Sequence, residues 1–257
     1  MLRLAVLLLT LLIAVAGCSS AKEKDDATVG MSAEEIYRYA KSELDAKQYE
    51  SAIEYYSRLE SKFPYGPYAQ QAQLEIAYAY YRFDQFSSAI VAADRFIKLN
   101  PRHPSVDYAY YIRGLASHDV AGSMMQRIFR QDPTQRDPKS AREAFENFSE
   151  LVRRFPESRY VPDSLKRMFQ LREMLATHEM HVARYYYERG AYVAAANRAK
   201  HLVTDFQKTG QIAEALALMI QSYRQLALDD LAADALQVLE LNYPDYARLD
   251  RLKQGEN

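Results

Sequence analysis

The sequence predicts an all-α chain of five antiparallel helix pairs wound into a superhelical solenoid. Three observations carry that expectation. Punctuation suited to ending a helix recurs at Phe63-Pro64, Asn100-Pro101, Phe155-Pro156 and Tyr243-Pro244, with Phe206-Gln207 in the corresponding place. A small residue lies twelve positions before the second member of each pair: Ala52, Ala89, Ala144, Ala195 and Ala232. Glycine is scarce, at 8 of 257 residues, and Ala, Leu, Glu, Arg and Gln are plentiful, a composition that favours helices.

The first segment stands apart from the helical array. Arg3 precedes an apolar run over residues 4–16, which is shorter than the roughly 20 residues a spanning helix requires. Residues 1–17 therefore read as a secretory signal that is removed. The run ends in Val15-Ala16-Gly17-Cys18, which resembles the lipobox of bacterial lipoproteins. Small residues there admit the chain to a peptidase, and the Cys18 thiolate is the group that a diacylglycerol would alkylate. Cys18 is the only cysteine, so no internal disulfide can form. Acyl chains contribute about 0.8 kcal/mol per buried methylene, enough for several chains to hold a protein to a membrane. Ser19 in place of an aspartate follows the sorting pattern of outer-membrane lipoproteins, which implies a periplasmic body. Residues 18–32, polar and centred on Lys22-Glu23-Lys24-Asp25-Asp26, read as the lipidated cysteine and a flexible tether.

Ser32 and Glu35 form a capping box before Ile36, which starts the first helix. In the first helices of four pairs, Ala40, Ala77, Ala183 and Ile220 lie twelve positions before the small residues of the second helices. Alanine lets two antiparallel helices approach closely, and proline after the second helix cannot continue it. The prolines at 64 and 101 are 37 positions apart, as are positions 207 and 244. Tetratricopeptide repeats have a period of about 34 residues with the same logic. The chain therefore reads as five tetratricopeptide-like pairs, slightly enlarged.

Two irregularities interrupt the period. In the third pair the small residue is Gly114, and its partner Ala144 lies 30 positions away. A loop insertion over about 119–138 is expected, holding Gly122, Met124, Met125, Ile128, Phe129, Pro133 and Pro138. Such a loop is often functional; alternatively its apolar residues fold back and plug the array. Between the third and fourth pairs the small residues Ala144 and Ala195 are 51 positions apart, and neither Gly nor Pro occurs between Pro162 and Gly190. One long helix over 163–189 is expected, linking repeats one to three (33–160) with repeats four and five (161–247). Residues 248–257 read as a charged tail.

Charge and motifs exclude several functions. Lys plus Arg of 33 against Asp plus Glu of 34 leaves no basic stripe for nucleic acid. His178 and His181 are spaced i, i+3, unlike the i, i+4 pair of helical zinc sites, and have no third ligand nearby in sequence. No phosphate loop or nucleophile elbow is present, so no enzyme, metal or other cofactor is indicated beyond the lipid on Cys18.

Specific strings then narrow the reading. Phe63-Pro64-Tyr65-Gly66-Pro67-Tyr68-Ala69-Gln70-Gln71, Tyr78-Ala79-Tyr80-Tyr81, Asp94-Arg95-Phe96-Ile97, Asp107-Tyr108, Arg113-Gly114-Leu115, Arg136-Asp137-Pro138, Arg189-Gly190-Ala191 and Asn197-Arg198 resemble the BamD (ComL-like) family. These are the tetratricopeptide lipoproteins of the outer-membrane β-barrel assembly machinery. The resemblance implies a non-catalytic scaffold that docks on the periplasmic domains of the insertase BamA and joins other assembly lipoproteins. It also implies that the first repeats receive the C-terminal strand of unfolded outer-membrane clients. An extended strand ending in an aromatic suits a groove of rings with a few polar groups. Tyr65, Tyr68, Gln71, Tyr78, Tyr81 and Arg95 are the candidates for it; the alternative for the tyrosines is repeat core. Arg198 matches a family arginine that pairs with an acidic residue of the insertase; the alternative is a solvated surface arginine. The resemblance runs from the lipobox to about Tyr246, and the charged stretch from Asp245 to Asn257 shows no family pattern. The competing reading is a lipid-anchored adaptor for cell-wall synthesis or envelope constriction.

Overall fold

The computed structural model describes residues 27–128 and 138–255, with the backbone alone over 122–128. Cys18, the signal segment, most of the tether, Phe129 and Pro133 lie outside the described residues, as do the side chains of Met124, Met125 and Ile128. Residues 27–32 form a turn in which the Met31 N–H donates to the Thr28 carbonyl at 3.2 Å. From Ala33 onward the described chain is helical.

The five pairs are α1 (Ala33–Asp45) with α2 (Tyr49–Lys62), α3 (Pro67–Arg82) with α4 (Phe86–Leu99), and α5 (Val106–Ile128) with α6 (Lys139–Arg154), then α7 (Val161–Glu188) with α8 (Tyr192–Asp205), and α9 (Ile212–Gln225) with α10 (Asp229–Asn242). A short α11 (Leu249–Lys253) follows. Each helix packs on its sequence neighbours, and first helices of successive pairs also touch: α1 with α3, α3 with α5, α5 with α7, α7 with α9. The first helices thus line the inner face of a tetratricopeptide solenoid.

One rule repeats in every second helix. Ala52, Ala89, Ala144, Ala195 and Ala232 are buried at the crossings, and seven residues later come the fully buried Leu59, Phe96, Leu151, Leu202 and Leu239. Seven residues are two helical turns, so each pair of positions shares one face. The carbonyls of those five large residues accept the backbone N–H groups of the capping residues Phe63, Asn100, Phe155, Phe206 and Tyr243. Proline follows four of those caps and disfavours the helical region for the residue before it. The punctuation read from sequence is therefore the physical stop of each second helix.

Within four pairs the helix-to-helix turn is a three-residue Schellman closure. Lys47, Asp84, Gly190 and Ala227 each take a positive φ between 55° and 75°. The following amide donates back to the carbonyl five residues earlier: Gln48 to Glu43, Gln85 to Tyr80, Ala191 to Tyr186, and Leu228 to Tyr223. Only one of the four is the glycine this conformation prefers. Ala227→Gly should therefore stabilise the chain by about 0.5–1 kcal/mol, read from chemical denaturation, because relief of left-handed strain exceeds the added unfolded-chain entropy. A lower stability in that variant would contradict the geometry.

The third pair departs from the expected loop. Helix α5 is not broken after Asp119 but continues to Ile128, so the first half of the predicted 119–138 insertion is an extension of the helix. Ala121, within this extension, is buried against the third pair's core. Helix α7 runs 28 residues, two residues earlier at its start than expected because Pro162 occupies its first turn.

The C-terminal segment is more than a charged tail. Leu249 and Leu252 of α11 are buried in the last core cluster. Glu214 on α9 clasps the segment, accepting from Tyr246 Oη at 2.6 Å, from Arg248, and from Arg184 of α7 at 2.9 Å. Burial opposes ionisation of Glu214 most strongly, but the hydrogen bonds from Arg248 and Tyr246 and the charge of Arg248 outweigh it and hold its carboxyl below the ordinary 4.5. A depressed folded-state value contributes stability that is full above the unfolded value and lost as pH falls through the folded one. Glu214→Gln should therefore lower the melting temperature at pH 7 and by a smaller amount at pH 3, as the stabilised carboxylate begins to protonate. An equal loss at both would remove ionisation as the cause.

Candidate functional site

The inner face of the first three pairs carries a groove of about 690 Å³. Helix α1 supplies Lys41, α3 supplies Gln71, Glu75 and Tyr78, α5 supplies Asp107 and Tyr108, and the α6–α7 turn supplies Ser158, Arg159 and Tyr160. Its wall is an aromatic ladder. Tyr160 stacks on Tyr111 with centroids 4.6 Å apart and 16° between planes, and on Tyr108 at 5.3 Å and 29°. Tyr78 lies 6.4 Å from Tyr108, and further along α3 Tyr68 meets Tyr37 of α1 at 5.5 Å.

Within this wall the hydroxyls of Tyr108 and Tyr111 stay protonated. Burial, followed by the charges of Tyr78 and Tyr160, pushes Tyr108 well above the ordinary phenol value. Burial, then the hydrogen bond to Asp163, raises Tyr111 to about 12. Tyr111 Oη donates to Asp163 Oδ2 at 2.8 Å. The groove thus offers neutral ring faces beside polar edges of both signs: Lys41 paired with Asp45 at 2.7 Å, Gln71 Nε2 on Glu75 at 3.1 Å, and Arg159 bonded to Tyr160 Oη at 2.7 Å. Such a surface can take an extended chain, with its amides on the polar edges and a side-chain ring against the tyrosines.

The structure divides the sequence candidates. Gln71 and Tyr78 line this groove, and Tyr68 sits on the same helix beside Tyr37. Tyr65 is 90% exposed in the α2–α3 turn. Tyr81 is turned toward the core, packed in the clusters that join α3 to α5 and α7. Its hydroxyl donates to Asp119 Oδ2 at 2.9 Å, and burial with that bond raises it to about 12. Arg95 is on the second-helix side, ion-paired with Glu60 of α2 and lining a separate cavity of about 450 Å³ with Ile76, Tyr80 and Val91. One groove expected from sequence is therefore two concavities separated by α3. The cause is helical phase: Arg95 belongs to a second helix, Tyr78 to a first.

Tyr108, Tyr111, Tyr160, Lys41 and Glu75 were not among the groove candidates read from the sequence. Tyr160 carried a readable signal, since it lies four residues after Pro156 just as Tyr68 lies four after Pro64.

Arg198 lies on α8 with a 45% exposed side chain, and its Nη1 donates to Glu179 Oε2 of α7 at 2.9 Å. Glu179 is buried, with its other oxygen 3.6 Å from Arg142 Nη2 of α6. Among the described residues no group of three or more His, Cys, Asp or Glu is placed to hold a metal ion, and no helix is long and apolar enough to cross a membrane.

A family model described as outer membrane lipoprotein (YfiO) matches residues 30–239. Proteins named outer membrane protein assembly factor BamD align along most of their length. That of Neisseria meningitidis serogroup B is 46% identical over 217 residues, covering 84% of this chain and 81% of the relative. That of Neisseria gonorrhoeae is 43% identical over 242 residues, covering 93% and 91%. This chain belongs to the BamD family. The BamD of Vibrio cholerae, 33% identical over 226 residues, extends the likeness beyond Neisseria. The BamD family match includes the whole groove wall and the Arg198–Glu179 pair, and stops within α10, before α11.

Proposed function

We propose that this chain is a non-catalytic scaffold in the assembly of outer-membrane proteins, anchored by lipid on Cys18 to the outer membrane with its solenoid on the periplasmic side. Family membership supports the assembly role and gives no footing to the cell-wall adaptor. Within that role, the inner groove of Gln71, Tyr78, Tyr108 and Tyr160 receives extended segments of unfolded clients. The surface around Arg198 docks on an acidic site of the periplasmic domains of BamA, while further assembly lipoproteins bind elsewhere on the solenoid. The observation that carries the client reading is the tyrosine ladder beside paired charges, a combination that accepts strands of varied sequence through backbone and ring contacts.

Crosslinking probes placed at Tyr68, Tyr78, Arg95 and Arg198 test it. Client crosslinks are expected from Tyr68 and Tyr78, insertase crosslinks from Arg198, and neither from Arg95; clients captured equally at Arg95 would move their path to the second-helix side. Cys18→Ala should leave the chain without lipid label and release it from the membrane. Label retained in that variant would refute the anchor.

A further inference from the structure

Glu179 stands out as the one carboxylate on the long helix α7 whose side chain is almost wholly buried, at 4% exposure. A buried carboxylate is costly unless donors surround it. Cations meet it from two directions: Arg198 of α8 donates a hydrogen bond at 2.9 Å, and Arg142 of α6 makes an ion-pair contact at 3.6 Å. The two arginines are half-exposed, so each has one edge held inward and the rest in solvent. A guanidinium has five N–H donors in a rigid fork, and Arg198 spends one of them on Glu179.

From this we infer that Glu179 is a positioning residue for the partner-binding surface: it fixes the Arg198 guanidinium so that its outer donors face an incoming acidic group. The inference rests on the reading of Arg198 as a contact for the insertase. A free arginine would lose rotamer freedom on binding, and a pre-held one has already lost it. Glu179 also ties the third pair to the fourth, since Arg142 and Arg198 meet on its two oxygens. When a partner carboxylate engages the outer edge of Arg198, Arg142 remains at the second oxygen, so the buried charge stays compensated throughout.

The test uses full-length chain in detergent and the purified periplasmic domains of the insertase, with Kd measured by calorimetry. Arg198→Ala should weaken binding about tenfold or more, and Glu179→Ala by a similar factor. Glu179→Gln, whose amide oxygen still accepts from Arg198, should stay within about threefold of the parent. In the Arg198→Ala background, Glu179→Ala should weaken binding no further, because it acts through the missing side chain. Unchanged binding in Arg198→Ala overturns the insertase reading itself. Normal binding in Glu179→Ala, with Arg198→Ala impaired, overturns only the positioning role. An additive loss in the double variant, or a Gln variant as weak as Ala, shows that Glu179 acts through the fold and also overturns it; melting temperatures track that structural share separately.

Discussion

Arg198→Glu is expected to abolish recovery of the insertase and to destabilise the fourth helix pair by about 2–3 kcal/mol. The two effects share one cause. Arg198 is the nearest cation to a buried carboxylate, 2.9 Å from Glu179, and the next, Arg142, stands off at 3.6 Å. Reversal removes the closer donor and sets a second carboxylate beside the first. Breaking a buried pair by losing one partner costs about 3–5 kcal/mol when nothing replaces it. Here Arg142 and the half-exposure of Arg198 reduce that cost. Binding loss in this variant therefore has to be read with a stability measurement beside it. Arg198→Lys separates the terms: it keeps the charge and should lose no more than about 1 kcal/mol, but a lysine lacks the planar fork and should recover less insertase. If Arg198→Glu unfolds at the parent denaturant concentration yet loses the insertase, Arg198 acts at the interface alone. If it keeps both, Arg198 is a solvated surface residue.

The fold was legible because its determinants are local and repeated. Proline after Phe63, Asn100, Phe155 and Tyr243 stops a helix through sterics that act on adjacent residues, and a small residue at each crossing is set by the distance between two neighbouring helices. Twelve-residue spacing survives translation from sequence to structure because it counts turns on rigid helices joined by closures of one constant length. Two features escaped. Helix α5 runs on to Ile128 although Gly122 punctuates it, since one glycine costs a helix only about 1 kcal/mol. The last segment looked like charge alone, yet Leu249 and Leu252 supply the apolar face of α11 and the Glu214 clasp holds it, a contact across more than thirty residues that no local pattern encodes.

The groove was half legible for the same reason. Gln71 and Tyr78 line the groove from α3, but Arg95 belongs to the second helix α4, and Tyr81, three residues beyond Tyr78 on α3 itself, turns into the core; residue type alone reports neither the helix nor its phase. The stack of Tyr108, Tyr111 and Tyr160 joins α5 to the start of α7 across a gap that includes all of α6. Glu179 was invisible: an acidic residue amid a helix reads as a solvated face, and only tertiary packing buries it.

The same tertiary closeness makes Gly114→Ala the second large prediction, a loss of about 2 kcal/mol in unfolding free energy. Alanine is better than glycine inside a helix by about 1 kcal/mol, so propensity alone predicts a gain in the middle of α5. The space denies it. A Cβ at position 114 would lie 2.5 Å from Phe148 Cε1 and 2.6 Å from Cδ1, inside van der Waals contact. Phe148 is fully buried on α6, with Tyr111 and His118 ranged around its ring at 6.5 and 6.4 Å, so the ring has little room to retreat. Either α5 and α6 separate or the ring leaves its rotamer, and both forfeit contacts along the pair that bears the insertion. Phe148→Leu in the Gly114→Ala background should recover at least about 1 kcal/mol relative to the sum of the two single changes, the signature of direct coupling between touching residues. Additive losses would place the strain elsewhere. A neutral Gly114→Ala would mean that the two helices part at this crossing without cost, and that the third pair accepts the alanine that stands at this position as Ala40, Ala77 and Ala183 in three of the others.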